Sequence, residues 1–263
     1  MPGTQIKVFD KIVHVVDVLA ASSQGGVTLR EVQDASGLSK GTVFRILRSL
    51  ELHNVAARNG DGAYVLGTRV LWWESCHRQN PDLSKLVRPR LEKLRDLTSE
   101  TVAFSLLVGD RTVVVEQATS PHATSTRFLV GASAPLHAGA TGRVILAHLP
   151  AARRKTVLSQ RLERFTERTM TKRKRLEQEL NRCVAQGFAF SEGERLYNTS
   201  SIAAPVFGPN REILGAISVS GPSDRLTHNK RNSIGALLLK ESRLLTEQLT
   251  RPGFIEKRVL AAS

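Results

Sequence analysis

Lys40, Thr42, Arg45, Arg48 and Ser49 fall on one face of a helix, and their hydrogen-bonding groups are those that reach base edges and phosphates in a DNA groove. Val43, Ile46, Leu47 and Leu50, three and four residues apart, give the same stretch a core side. A lone helix with a basic outer face is usually solvated surface, so the weight rests on what surrounds it.

Upstream, Thr28 and Glu31 form a capping-box pair ahead of Leu29, Val32 and Ala35, and Gly37 is placed to end that helix in the left-handed conformation. Leu38 then reads as the buried turn residue and Ser39 as the N-cap of the basic helix, which runs to about Leu52. Downstream, Val55–Arg58 and Ala63–Leu66 flank Asn59-Gly60-Asp61-Gly62, a hairpin signal, because Asn-Gly and Asp-Gly reach positive φ cheaply. A helix over residues 8–22, with Val8, Ile12, Val15, Val16 and Leu19 on one face and Gly25-Gly26 after it, would cover the pair. Two capped helices, a tight turn and a hairpin make a winged helix-turn-helix, with the second helix entering the major groove. The residues expected to meet DNA are Thr28, Ser39, Lys40, Thr42, Val43, Arg45, Arg48 and, in the wing, Arg58.

Bulk charge adds little to that reading. The chain of 263 residues carries a net +14, yet residues 1–70 hold eight Lys/Arg against six Asp/Glu. Residues 151–190 hold eleven against four, a run that reads first as a solvated helix face and second as a contact for flanking DNA or an acidic partner. Two cysteines, Cys76 and Cys183, without CxxC or Cys/His spacing, indicate neither a disulfide framework nor a metal site. With no signal peptide or apolar span of about 18 residues, a cytoplasmic protein without membrane contact is expected.

The length leaves room for a second core. Thr68 to Arg78, carrying Trp72 and Trp73, reads as a linker helix whose apolar face suits a second subunit. A turn at Asn80-Pro81-Asp82 and a helix from Leu83 to about Leu97 follow. Strands are expected at 101–108, 111–117, 127–130, 188–190, 200–207 and 213–220, and helices at 151–159, 171–186 and 229–248. Ala134 to Arg143 opens a further helix running through Leu146. The fold class is α+β: antiparallel hairpins with helices segregated around them. The domains expected are 1–67, the winged helix-turn-helix; 68–80, the linker helix; 81–255, a GAF-like effector-binding domain; and 256–263, a tail.

Gly187-Phe188-Ala189-Phe190-Ser191 with Glu194, then Ser201 to Val206 and Gly215 to Pro222, resembles the IclR family of bacterial transcription regulators. Leu136 to Arg143 and Tyr64-Val65-Leu66-Gly67 stand where that family has similar segments. The resemblance implies a winged helix-turn-helix joined by a helix to a GAF-like α+β effector domain. It also implies homodimers, or dimers of dimers, on a palindromic double-stranded DNA operator. The family's effector pocket maps onto Ala140, Thr141, Ser191, Ser201, Ser218 and Ser220. The two serines of the last strand are two apart and so share a face, and with the helix N-terminus near Thr141 they could hold a carboxylate or polarised oxygen. Small serines that merely pack under helices are the plainer alternative.

Two positions depart from the family pattern. Ser191 stands where many members have an acidic residue, so effector identity does not transfer, and Asn198 replaces a glycine, a residue that tolerates positive φ. No GxSxG elbow or GxxxxGK phosphate loop is present, His137 reads as structural, and neither cysteine looks poised for redox chemistry. No catalysis, cofactor or metal is expected. The function expected is a DNA-binding regulator, a repressor rather than an activator, answering to a small organic or aromatic acid; Phe104, Phe128 and Phe190 motivate the aromatic option. The alternative from another class is a GAF-like ligand or redox sensor acting through protein contacts.

Overall fold

The computed structural model describes the backbone of residues 6–22, 25–78 and 82–250. It divides into two units, residues 1–81 and 82–263. The expected turn at Asn80-Pro81, the side chain of Cys76 and the tail 256–263 lie outside the described residues.

In the first unit α1 (Lys7–Ala21), α2 (Leu29–Ser36) and α3 (Lys40–Leu52) precede a hairpin of β1 (Ala56–Arg58) and β2 (Tyr64–Leu66). The capping box is complete: Glu31 N–H donates to Thr28 Oγ1 at 3.3 Å, and Thr28 N–H donates to Glu31 Oε2 at 2.7 Å. Gly37, at φ 68°, ends α2 as expected. Ser39 does not cap with its side chain; it sits extended at the N-cap while its hydroxyl bonds the Thr42 hydroxyl at 2.9 Å. Val15, Leu19, Val32, Leu47, Leu50 and Tyr64 close the core of this unit, and Ala35 lies outside it. In the wing only Gly62 has positive φ, while Asn59 Oδ1 accepts from the N–H groups of Asp61 and Ala63, so the turn is built on an Asx contact rather than on Asn-Gly geometry. Val27 bridges to Tyr64 and adds a third extended segment beside the hairpin. The helix α4 (Arg69–Arg78) follows.

The second unit is built on an antiparallel sheet. Its strands are β3 (Thr101–Val108), β4 (Arg111–Ala118), β5 (Ser133–Pro135), β6 (Ala189–Glu192), β7 (Thr199–Phe207) and β8 (Ile213–Pro222), in the order β5-β4-β3-β8-β7-β6. One face is covered by α5 (Asp82–Thr98) and α9 (Arg231–Leu249), the other by α6 (Ala140–Ala147), with α7 (Ala151–Ser159) and α8 (Arg173–Gln186) behind it.

Strand alternation sorts the residues between the two faces. Val102 and Phe104, Ile202, Ala204 and Val206, and Ile217 and Val219 pack under α5 and α9. Their neighbours Ala103, Ser105, Ser201, Ser218 and Ser220 turn to the α6 side, where they are small. Glu241 on α9 ties the two helices of the first face together, accepting from Arg90 Nη1 and Lys93 Nζ on α5, both at 2.7 Å.

The strand expected at 127–130 does not form. The edge strand lies instead at Ser133–Pro135, paired with Arg111–Val113. Pro135 has no N–H for a ladder, which suits an edge. Among the described residues no helix is long and apolar enough to cross a membrane.

Candidate functional site

The first candidate site is the outer face of α3. Lys40, Arg45 and Arg48 are exposed and Thr42 half-buried, so one side of this helix presents donors to solvent. Val43 is corrected: at 0% exposure it is sealed in the core of the first unit and has no route to a base. Its neighbour Phe44, which the sequence reading passed over, is 47% exposed between Lys40 and Arg48, one helical turn from each. An exposed aromatic at that place has the chemistry to meet a thymine methyl.

The arginines differ in freedom. Arg48 and Arg58 both pair with Glu51, at 3.6 and 3.0 Å, and Arg58 also lies over the Tyr64 ring at 4.7 Å. Among the described residues Arg45 makes only a long contact to the Gly41 carbonyl at 3.3 Å, which leaves its guanidinium the least committed of the three. Thr28 Oγ1 also donates to Glu31 Oε2, leaving one lone pair for anything else. That contact, with the Thr28 N–H first, holds the Glu31 carboxyl below its usual range.

The second candidate site is a cavity of about 130 Å³ between the sheet and the start of α6. Ala140, Thr141, Ser191, Ser201, Ser218 and Ser220 all line it. The strand register explains the convergence: Ser191 pairs with Ser201, and Ser201 with Ser220, so three serines form one row across β6, β7 and β8. Ser218 sits in the next same-face row, opposite Ala103 on β3. Among the described residues none of these four hydroxyls has a hydrogen-bond partner in the protein, although Ser191, Ser218 and Ser220 are buried. Buried polar groups are normally paired, so four that face a cavity unpaired are suited to a ligand.

The wall opposite the sheet is α6. Gly142 lies so close to the chain before it that a Cβ would stand 2.7 Å from the Pro135 carbonyl oxygen, so only glycine lets the helix start this near the sheet. Gly139 N–H, at the helix start, donates to Glu194 Oε2 at 3.3 Å. Glu194 Oε1 in turn accepts from Arg143 Nη1 at 2.7 Å, and both side chains are buried. Arg143 therefore does not reach the cavity; its Nη2 goes to the Phe190 carbonyl and its Nε has no acceptor.

Glu194 and Arg195 line the cavity and were missed as site residues. Their only signal was Glu194 in the family motif. Arg195 is exposed, yet desolvation beside the cavity pushes its guanidinium below the ordinary range, Arg111 pushes it the same way, and Glu163 opposes. Of the three phenylalanines, Phe128 alone lines the cavity, whereas Phe104 is buried under α5 and α9, and Phe190 packs on that face against His228. His137 accepts its structural role, bonded through Nε2 to the Glu163 carbonyl and stacked on Phe165. Cys183 is buried behind α6 and burial pushes its thiol up to about 11. Asn198 holds φ 55° at the end of the loop carrying Glu194 and Arg195, so the left-handed position survives without glycine.

Comparison with known proteins matches both parts of the chain. Residues 8–60 match the IclR helix-turn-helix domain and residues 77–246 the bacterial transcriptional regulator IclR C-terminal domain. The chain is 30% identical to the HTH-type transcriptional regulator BhcR of Paracoccus denitrificans, over 92% of its own length and 86% of that protein's. It is 26% identical to the transcriptional repressor IclR of Escherichia coli, over 86% and 84%. Among solved structures, an IclR transcriptional regulator of Silicibacter sp. TM1040 superposes with a TM-score of 0.77 at 27% identity, covering 93% of this chain and 99% of that one. An IclR homolog of Microbacterium hydrocarbonoxydans, solved with 4-hydroxybenzoate, shares the fold with a TM-score of 0.63 at 22% identity, covering 92% and 98%. The chain belongs to the IclR family of bacterial transcription regulators, with an IclR helix-turn-helix domain followed by an IclR C-terminal domain.

Proposed function

We propose that this regulator is a repressor whose affinity for a palindromic operator is set by a small organic or aromatic acid in the cavity under α6. The observation that carries the reading is the row of unpaired serine hydroxyls facing that cavity. A cavity on the order of 150 Å³ accepts a ring the size of benzene, so the space fits a one-ring or smaller acid. Phe128 gives such a ring an apolar wall. The homolog crystallised with 4-hydroxybenzoate makes that acid a sensible first probe.

On the DNA side, Lys40, Thr42, Phe44 and Arg45 make the base-facing surface, with Ser39, Arg48 and Arg58 toward phosphates. Phosphate contacts release counterions, so affinity falls steeply as salt rises, and that dependence separates an operator binder from a sensor that acts through protein contacts. The boundaries expected are 1–67 for the DNA-binding part, 68–80 for the linker and 81–255 for the effector domain. Leu71, Trp72 and Trp73 are exposed on α4, an apolar surface that suits a second copy in a homodimer or a dimer of dimers. The protein acts in the cytoplasm and does no catalysis.

The ligand can act only through its unequal affinity for two states of the protein. Fluorescence anisotropy of a labelled operator, titrated with and without 4-hydroxybenzoate, tests the reading. A shift in operator affinity supports it; if no small acid in a panel moves operator affinity, effector control from this cavity is wrong.

A further inference from the structure

The start of α6 offers a partial positive charge, but the protein meets it with its own carboxylate. Glu194 takes the Gly139 N–H and is in turn neutralised by Arg143. Arg195, the next residue, is the one cationic side chain among the described residues lining the cavity, and no hydrogen bond or ion pair engages it. Its stem packs across the helix start: a Cβ on Gly139 would lie 3.4 Å from Arg195 Cδ.

A second guanidinium stands nearby. Arg111 Nε donates to Ser133 Oγ at 3.1 Å, and Ser133 also lines the cavity. The Arg111 charge disfavours that of Arg195, and Glu163 opposes it. Arg195 is exposed where it lines the cavity, which leaves its guanidinium open to a ligand, and a carboxylate offers two oxygens that match its fork.

We propose that Arg195 reads the charge of the effector: the cavity takes a small organic carboxylate with its acid group at Arg195 and its neutral body over the serine floor. This rests on the cavity being the effector site. The consequence is discrimination between an acid and an uncharged molecule of the same shape. The helix N-terminus and the serines then recognise a neutral oxygen at the other end.

Isothermal titration of the full chain with two matched pairs, benzoate with benzamide and lactate with lactamide, tests it. At least one acid should bind tenfold or more tighter than its amide. R195Q should bring that acid down to the amide's affinity and leave the amide unchanged, while R195K keeps part of the preference. An acid preference that survives in R195Q overturns the proposal, as does a wild-type chain with no acid preference, including one that binds none of the four. Ser218→Leu, which fills the cavity, keeps the two readings apart. Binding lost in Ser218→Leu but indifferent to R195Q removes the role of Arg195 and keeps the cavity; binding that survives Ser218→Leu removes both.

Discussion

Arg143 Nη1 lies 2.7 Å from Glu194 Oε1, and the two side chains are 0% and 4% exposed. This pair joins the first turn of α6 to the loop between β6 and β7, two of the segments that border the cavity. It also ties the carboxylate at the helix start to the fold, since Glu194 bonds Gly139 as well.

Glu194→Gln should therefore be costly. It leaves the buried Arg143 charge without its counter-ion, and breaking such a pair typically costs about 3–5 kcal/mol. The double variant Arg143→Met with Glu194→Met should lose much less, because no charge is left stranded. Urea unfolding of Glu194→Gln, of the double variant and of its single components Arg143→Met and Glu194→Met reads this, and strictly additive single effects would show that the two residues are not coupled.

On α3, side-chain direction separates neighbours. Arg45→Ala with Thr42→Ala should abolish sequence-selective operator binding at unchanged melting temperature, and Phe44→Ala should relax selectivity at A·T positions by about 1–3 kcal/mol. Val43→Ala should instead destabilise the first unit by roughly 1–3 kcal/mol, through a lost buried contact. Gel shifts alongside thermal melts distinguish these; unchanged selectivity in the double variant would remove α3 as the reading helix.

Acid should loosen the packing of α5 on α9. Burial alone would raise the Glu241 pKa, but the hydrogen bonds from Lys93 and Arg90 outweigh it and hold the carboxyl below its ordinary 4.5. A group with a lowered folded pKa stabilises above its unfolded value and loses that contribution as pH falls through the folded one. Stability should thus decline from about pH 4.5 downward, and Glu241→Gln should flatten that decline while costing about 1–3 kcal/mol at pH 7. An unchanged acid slope in Glu241→Gln would assign the decline to other carboxylates.

The thiol of Cys183 should be silent in the folded protein. Its pKa is pushed up to about 11 and its side chain is buried. In a Cys76→Ser background, labelling at pH 8 should run roughly a hundredfold slower than after denaturation. Fast labelling of the folded chain would mean that the α6–α8 layer opens readily.

Much of this was legible in the residues, and the exceptions have physical causes. Thr28, Glu31 and Gly37 mark a helix by local chemistry, and that local rule held, with the capping box complete and Gly37 left-handed. The strand expected at 127–130 rested on apolar residues that lie in a loop: Leu129 and Val130 are exposed, while Phe128 turns to the cavity. The real edge strand, Ser133-Ala134-Pro135, has too short and too polar a pattern to announce itself. The serine face of β8 follows from a period of two, but which residues stand opposite it depends on register, as with Ser191 and Ser201. Arg143 and Glu194 are 51 residues apart, and nothing local in either says that the other neutralises it.

The most direct measurement is operator affinity with and without an effector acid, in the wild-type chain and in Ser218→Leu and Ser220→Leu. Both variants should bind the operator like wild type and lose the response to the acid. A response that persists with the cavity filled, or operator binding lost in variants that still melt cooperatively at the wild-type temperature, would contradict control of the DNA-binding domain from this cavity.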